Sequence, residues 1–315
     1  MIENIIEKED EIEFFQIKIP KDTTPIRVDK FLSIYSGYSR SRISNYTYKL
    51  YINKKEEKLS KIIKPDDDVE IYLRIPEDYN EIIPQKFDLE IIYEDKIFLL
   101  IRKPFNIPTH PSIGHPSNTV LNYIKYHILS SGGNPLPDCG MVHRLDKDTE
   151  GLLIFGKTIE AQSYLKSLFM NRQIEKKYVA ILNGKIMLEI SEFVDKLCRD
   201  PNNRLKYKVS QKGKEAILSY RLLGNSENFS IVEISLRTGR THQIRVQFGS
   251  RGHYVIGDLI YGKKQNKFYE DYGMLLFSKK LAFKNPLNDK YMEFEIPLPE
   301  RFHKFITDNQ IALKG

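Results

Sequence analysis

The chain has 315 residues, with 49 Lys and Arg against 42 Asp and Glu and a formal charge of +7 at neutral pH. Its 41% apolar and 29% charged residues exclude wholesale disorder, and the length predicts two domains rather than one core. No apolar run approaches the roughly 20 residues that cross a bilayer. The acidic start, Met1 to Asp10, lacks the basic and apolar regions of a secretory signal, so the expected location is the cytoplasm. Cys139 and Cys198 are too few and too far apart for a Cys-x-x-Cys metal site. The positive balance favours an anionic partner, for which 19 Tyr and 17 Phe offer stacking rings.

In chain order, residues 1–25 read as a leader. Val28, Phe31, Leu32 and Tyr35 then stand at i, i+3, i+4 and i+7 and predict a helix. Ile43, Tyr46, Thr47 and Leu50 repeat that spacing and predict a second short helix. Before it lies Ser39-Arg40-Ser41-Arg42, with serines as candidate caps and arginines in an exposed first turn. Leu50-Tyr51-Ile52-Asn53 and Val69-Glu70-Ile71-Tyr72-Leu73 read as strands around a Lys-rich turn. Arg27-Val28-Asp29-Lys30-Phe31-Leu32, the Ser-Arg repeat and Lys64-Pro65 together resemble an S4-type RNA-binding domain over residues 26–74. That resemblance implies phosphate contacts from Arg40, Arg42 and the neighbouring lysines. Leu50 to Lys55 departs from the Gly-x-Val-x-Val-Asn-Gly common in that family.

Residues 75–86, with Pro76, Glu77, Asp78 and Pro84, read as a linker, 87–305 as the larger domain and 306–315 as a tail. Leu89 to Tyr93 and Ile97 to Ile101 flank Glu94-Asp95-Lys96 as a hairpin. Ala161, Tyr164, Leu165 and Leu168 give helical spacing; Tyr178 to Leu182 reads as a strand, and Val232, Ile234 and Leu236 as the buried face of another. Lys263 to Lys267 reads as an exposed loop. This order lacks regular βαβα alternation and predicts an α+β fold with a mixed, largely antiparallel sheet.

Two segments carry chemistry. In Met141 to Phe155, five charged residues, Arg144, Asp146, Lys147, Asp148 and Glu150, run into an apolar strand, which predicts an active-site loop turning between Asp146 and Gly151. In Leu236 to Val246 a strand ends at Thr238-Gly239 and a helix is expected with Thr241 as its cap, bringing Arg237, Arg240 and Arg245 together. His143-Arg144-Leu145-Asp146 with Gly151-Leu152-Leu153 resembles the aspartate motif of the RluA-type RNA pseudouridine synthases. Thr238-Gly239-Arg240-Thr241-His242-Gln243-Ile244-Arg245-Val246, about ninety residues later, resembles a further block of that family. Lys176-Lys177-Tyr178 and Arg102-Lys103-Pro104 are similar to two others.

The resemblance implies isomerisation of uridine to pseudouridine, with Asp146 as nucleophile, Arg245 as its guanidinium partner and Tyr178 beneath the base or at its C5 proton. Arg144 would fill the space left by a flipped base, and Leu276 would form an apolar wall. Arg240 and His242 are candidate RNA contacts. Phe277 stands where the family's Leu-His-Ala string has histidine. No metal or organic cofactor is implied, and His110, His115, His143 and His242 are scattered. Large-subunit (23S) ribosomal RNA is the expected substrate and a monomer the expected state. Transfer RNA, a non-catalytic RNA-binding or assembly factor, and, more weakly, a glycosidase using Asp146 and Asp148 remain open.

Overall fold

The computed structural model describes residues 12–36, 40–74, 82–111, 115, 117–262, 264–285 and 288–314. The first elements are β1 (Ile12–Lys18), β2 (Ile26–Arg27), α1 (Val28–Ser36), α2 (Arg40–Tyr46), β3 (Thr47–Ile52), β4 (Lys55–Glu56), β5 (Ile62–Ile63) and β6 (Asp68–Arg74). A four-stranded sheet of order β1-β6-β3-β4 closes over α1 and α2. Its core is built from Ile17, Ile19, Val28, Leu32, Ile43, Leu50, Ile63, Val69 and Ile71.

Two expectations are corrected here. Residues 12–25 are not a bare leader, because β1 pairs antiparallel with β6 and buries Ile17. Phe15, Ile17 and Ile19 carry the period of two that the preceding acidic run obscures. The second helix stops at Tyr46, and Leu50 belongs to β3. Thr47-Tyr48-Lys49-Leu50-Tyr51-Ile52 is rich in residues that fit a pleated surface, and pairing with β6 overrides the helical spacing. Residues 75–81, Ser39 and the side chains of Ser41 and Arg42 lie outside what is described.

The larger part continues with β7 (Glu90–Glu94), β8 (Phe98–Lys103), α3 (Val120–Ser130), β9 (Glu150–Gly156), α4 (Ile159–Met170), β10 (Glu175–Asn183), β11 (Ile190–Asp200) and β12 (Asn203–Val209). Then come β13 (Lys214–Asn225), β14 (Phe229–Leu236), α5 (Gln243–Gly249), β15 (Leu276–Lys284), β16 (Tyr291–Glu295), α6 (Glu300–Asp308) and β17 (Ala312–Leu313). They form an 11-stranded sheet of order β12-β11-β13-β14-β10-β15-β9-β8-β7, with β16 beside β15 and β17 beside β13. Among the described residues only β9 and β15 run parallel. The fold is therefore α+β with a mixed, mostly antiparallel sheet.

Both faces of this sheet are covered. Leu99, Ile101, Leu153, Phe155, Ala180, Leu182, Val232 and Ile234 face α3 and α5, whereas Phe98, Leu100, Leu152, Ile154, Val179, Ile181 and Ile231 face α4 and α6. The strands consequently read as continuous apolar runs, and Ile231 is buried as fully as Val232 and Ile234. The expected tail is also structural. Phe305 and Ile311 are buried, and β17 pairs with Gly224 and Asn225, so a boundary at 305 would cut through α6. Ser163 on α4 donates to the Ile34 carbonyl at 2.8 Å, tying the small module to the larger part.

Candidate active site

The loop preceding β9 is pinned at every second residue. The His143 ring lies 4.5 Å from that of Phe169, and its Nε2 accepts the Ile154 N–H at 3.1 Å. Buried Thr109 donates to the Leu145 carbonyl at 2.7 Å and accepts the Leu145 N–H at 3.3 Å. Fully buried Lys103 donates to the carbonyls of Lys147, Pro104 and Ile107 at 2.8, 2.7 and 2.7 Å, using all three ammonium protons. Extended residues alternate sides, so with His143 and Leu145 facing inward Arg144 and Asp146 turn outward, while Lys147, in the turn that follows, is held by its carbonyl and leaves its side chain exposed. The turn then closes through Thr149 N–H to the Asp146 carbonyl at 3.1 Å. Gly151 is required after it: its φ is +122°, and a Cβ there would lie 2.2 Å from the Ser278 carbonyl oxygen of β15.

Asp146 keeps 24% of its side-chain exposure and receives Arg245 Nη1 on Oδ2 at 2.9 Å. Arg245, only 3% exposed, is itself held by Asp258 through Nε to Oδ2 at 2.7 Å and Nη2 to Oδ1 at 2.9 Å. Burial alone would lower the Arg245 pKa, but hydrogen bonds and charge from Asp258 and Asp146 raise it. Burial would likewise raise Asp258, yet Arg245 and the N–H groups of Tyr261 and Ile260 hold it below the usual carboxylate range. Two carboxylates thus share one guanidinium. The third participant is His242, whose Nε2 stands 3.8 Å from Asp146 Oδ2 and whose Nδ1 meets the Tyr261 hydroxyl at 2.8 Å. Burial lowers the His242 pKa, partly offset by Asp146. Both contacts fall on Oδ2, and neither reaches Oδ1. A carboxylate held in this way can attack carbon or accept a proton.

The cap of α5 differs from the expectation. His242, at φ 55°, occupies it rather than Thr241. Gln243 organises the turn instead: its Oε1 accepts from Thr238 Oγ1 at 2.8 Å and Arg240 N–H at 3.0 Å, and its Nε2 donates to the Ile217 carbonyl at 3.1 Å. The amide carries its acceptor and its donor on separate atoms and so ties the turn to the Ile217 carbonyl of β13 at the same time, a span that one hydroxyl oxygen does not cover. Arg240 is turned away, donating to the Glu215 carbonyl at 2.8 Å.

Arg144 is exposed, and its partner is His110 Nε2 at 3.0 Å rather than Asp148. Burial and the Arg144 charge push His110 down to about 4, so it accepts this bond as a neutral ring. Tyr178 on β10 is 7% exposed and shares a core with Leu145 and Leu276. Burial pushes its hydroxyl up to about 12, against a hydrogen bond with Ser278. Phe277 points to the opposite face, with its ring 5.9 Å from Phe302, so the departure from Leu-His-Ala is absorbed in packing. Arg40 is far along the chain in the small module, paired with Asp29 at 2.6 Å.

Asp258 and Tyr261 were not anticipated. Their only sequence signal is one acidic residue between Gly257 and Leu259-Ile260-Tyr261-Gly262, which reads as an ordinary turn. Among the described residues no group of three or more His, Cys, Asp or Glu side chains is placed to hold a metal, and no helix is long and apolar enough to cross a membrane.

Residues 97–250 match the family model described as RNA pseudouridylate synthase. An uncharacterized RNA pseudouridine synthase of Bacillus subtilis, YlyB, is 34% identical, with 90% of this chain and 93% of that protein covered. The ribosomal large subunit pseudouridine synthase D of Borreliella burgdorferi is also 34% identical, over 90% of this chain and 89% of its own. Among solved structures, human RNA pseudouridylate synthase domain containing 4 superposes with a TM-score of 0.59 at 19% identity, covering 72% of this chain and 95% of that one, a likeness of fold. The relatives and the fold agree: this chain belongs to the RluA-type RNA pseudouridine synthases and is an RNA isomerase.

Proposed function

We propose that the chain isomerises uridines of large-subunit ribosomal RNA with Asp146 as the nucleophile. The observation that carries this reading is the 2.9 Å pairing of Asp146 with Arg245, whose other side is fixed by Asp258. The guanidinium holds the carboxylate by Oδ2 and leaves Oδ1 without this contact. Attack at C1′ would form an ester to Asp146 as the bond to N1 breaks; the ring turns, C5 bonds to C1′ as the Asp146 oxygen leaves, and the proton lost from C5 is balanced by one gained at N1. Whether Asp146 adds to C1′ or draws a proton from C2′ on a glycal route, the same carboxylate oxygen serves.

The target base must leave its stack to reach Asp146, because a paired A-form helix hides it. Arg144, exposed and outward beside Asp146, is suited to occupy the vacated place. Leu276 and the Tyr178 ring offer the apolar surface for the flipped uracil. With its hydroxyl pushed up to about 12, Tyr178 is protonated in the free protein, so taking the C5 proton would require bound RNA to lower that value. His242 stands at the same carboxylate, whereas Arg240 braces the turn.

Residues 12–74 serve as the RNA-binding module, with Arg40, Arg42 and the lysines near them meeting phosphates. The choice of ribosomal RNA rests on the names of relatives such as that of Borreliella burgdorferi; transfer RNA is the second substrate to try. A cytoplasmic monomer fits this role. The test is tritium release from 5-tritiated uridine in protein-free large-subunit RNA and in bulk transfer RNA. Release by the natural chain but not by Asp146→Asn, with RNA binding retained, is expected. Undiminished release by that variant would remove Asp146 as nucleophile, and release from transfer RNA alone would reassign the substrate.

A further inference from the structure

His242 faces two ways. Its Nε2 looks toward Asp146 Oδ2 at 3.8 Å, and its Nδ1 meets Tyr261 Oη at 2.8 Å, with the two rings nearly perpendicular at 82°. Tyr261 Oη also accepts the backbone N–H of Tyr207, from β12, at 2.7 Å. A phenol has one proton to give, and a backbone N–H can only donate. With one lone pair of Oη occupied by Tyr207, the phenolic proton is directed at Nδ1. A neutral imidazole that accepts at Nδ1 carries its hydrogen on Nε2. The opposite tautomer would aim the Nε2 lone pair at a carboxylate and leave the phenolic proton without the one acceptor seen near it.

We propose that Tyr261 is a positioning residue that fixes His242 as the Nε2–H tautomer, setting a neutral hydrogen-bond donor beside the reacting carboxylate. The Arg245 guanidinium lies over the Tyr261 ring at 5.1 Å, and Asp258 accepts the Tyr261 N–H at 3.0 Å, so the residues that orient Arg245 also hold the phenol in place. The Tyr207 ring closes the third side, 5.9 Å from His242. At 3.8 Å the Nε2–H makes no hydrogen bond to Asp146 in the free protein. It is available to an oxygen of the flipped nucleotide that arrives between them. A neutral donor orients that oxygen without adding a second positive charge against the nucleophile. Lysine or arginine there would compete with Arg245 for the carboxylate. Its relevance to catalysis rests on the assignment of Asp146; the tautomer does not.

The test uses the full chain labelled with 15N-histidine, with His242→Asn identifying the resonance. Long-range 15N–1H spectra of the natural protein are expected to show His242 protonated at Nε2, and Tyr261→Phe to move it toward a mixture of tautomers. Phe keeps the ring under Arg245, so the melting temperature reports whether the variant is folded. In tritium release, Tyr261→Phe should lower kcat about tenfold, as expected for one misdirected hydrogen bond, with KM for RNA unchanged. His242 in the same tautomer in Tyr261→Phe, or protonated at Nδ1 in the natural protein, would overturn the proposal. So would a changed tautomer with kcat intact. If Asp146→Asn retained activity, the nucleophile assignment would fall while the tautomer result stood.

Discussion

Arg245 and Asp258 are joined by two parallel hydrogen bonds of 2.7 and 2.9 Å, inside a site where Arg245 is 3% exposed and Asp258 is 1% exposed. This buried pair leaves one guanidinium edge, Nη1, for Asp146. The fork geometry fixes the direction in which that edge points, which an ammonium could not do.

Asp258→Asn should therefore cost both stability and turnover. Removing one partner of a buried pair leaves the other charge uncompensated, a loss of about 3 kcal/mol. Chemical denaturation should show it, and tritium release should fall in kcat more than in KM, because Arg245 is free to swing away from Asp146. A variant with natural stability and rate would show that Asp146 alone orients Arg245.

Thr109 acts on the loop that carries Asp146 through its hydroxyl on Leu145. Thr109→Val keeps the shape and removes both bonds, leaving the Leu145 carbonyl buried without this donor; about 1–2 kcal/mol of stability should go with it. Activity should drop and Thr109→Ser should restore it. Failure of Ser to rescue would assign the effect to the methyl group instead.

Acid should loosen the same loop through His143. Its Nε2 accepts the Ile154 N–H, and burial, aided by the Lys176 charge, lowers its pKa from 6.5 to about 3. The unfolded chain binds this proton below 6.5 and the folded one only below about 3, so stability is present above 6.5 and lost as pH falls through that window. His143→Gln keeps an acceptor and cannot titrate. Its stability should fall less steeply between those pH values than that of the natural protein, by about 5 kcal/mol across the window. Equal slopes would mean that His143 is not the group responsible.

For the small module, Arg40→Ala with Arg42→Ala should weaken RNA binding and reduce the slope of log K against log salt by about one to two units. Arg40 already neutralises Asp29, so it should contribute less than a free arginine. Fluorescence anisotropy across a potassium chloride series measures it. An unchanged slope would move the RNA path away from this face.

The helix at Val28 to Ser36, the hairpin at Glu90 to Lys103 and the strand around Tyr178 were legible because their apolar spacing was local and matched their burial. Leu50 was misplaced because one short apolar series fits a helix and a strand alike, and only pairing with β6 decides. Ile12 to Lys18 was overlooked because the acidic residues before it obscure its period of two and its partner, β6, is distant in sequence.

The sequence by itself determined the residue types at the site: a charged loop ending in an apolar strand, and a string of arginines before a short helix, are signals written in contiguous residues. The resemblance pointed to Arg245 as the partner of Asp146, and only tertiary structure supplies the reason. Arg240 and Arg245 are five positions apart, yet one braces a carbonyl of β13 and the other reaches Asp146, 99 residues away in sequence. That choice belongs to Asp258, Gln243 and Tyr261, each supplying hydrogen bonds across distant segments. A lone acidic residue in a turn has no period or spacing to mark it until the sheet brings the segments together.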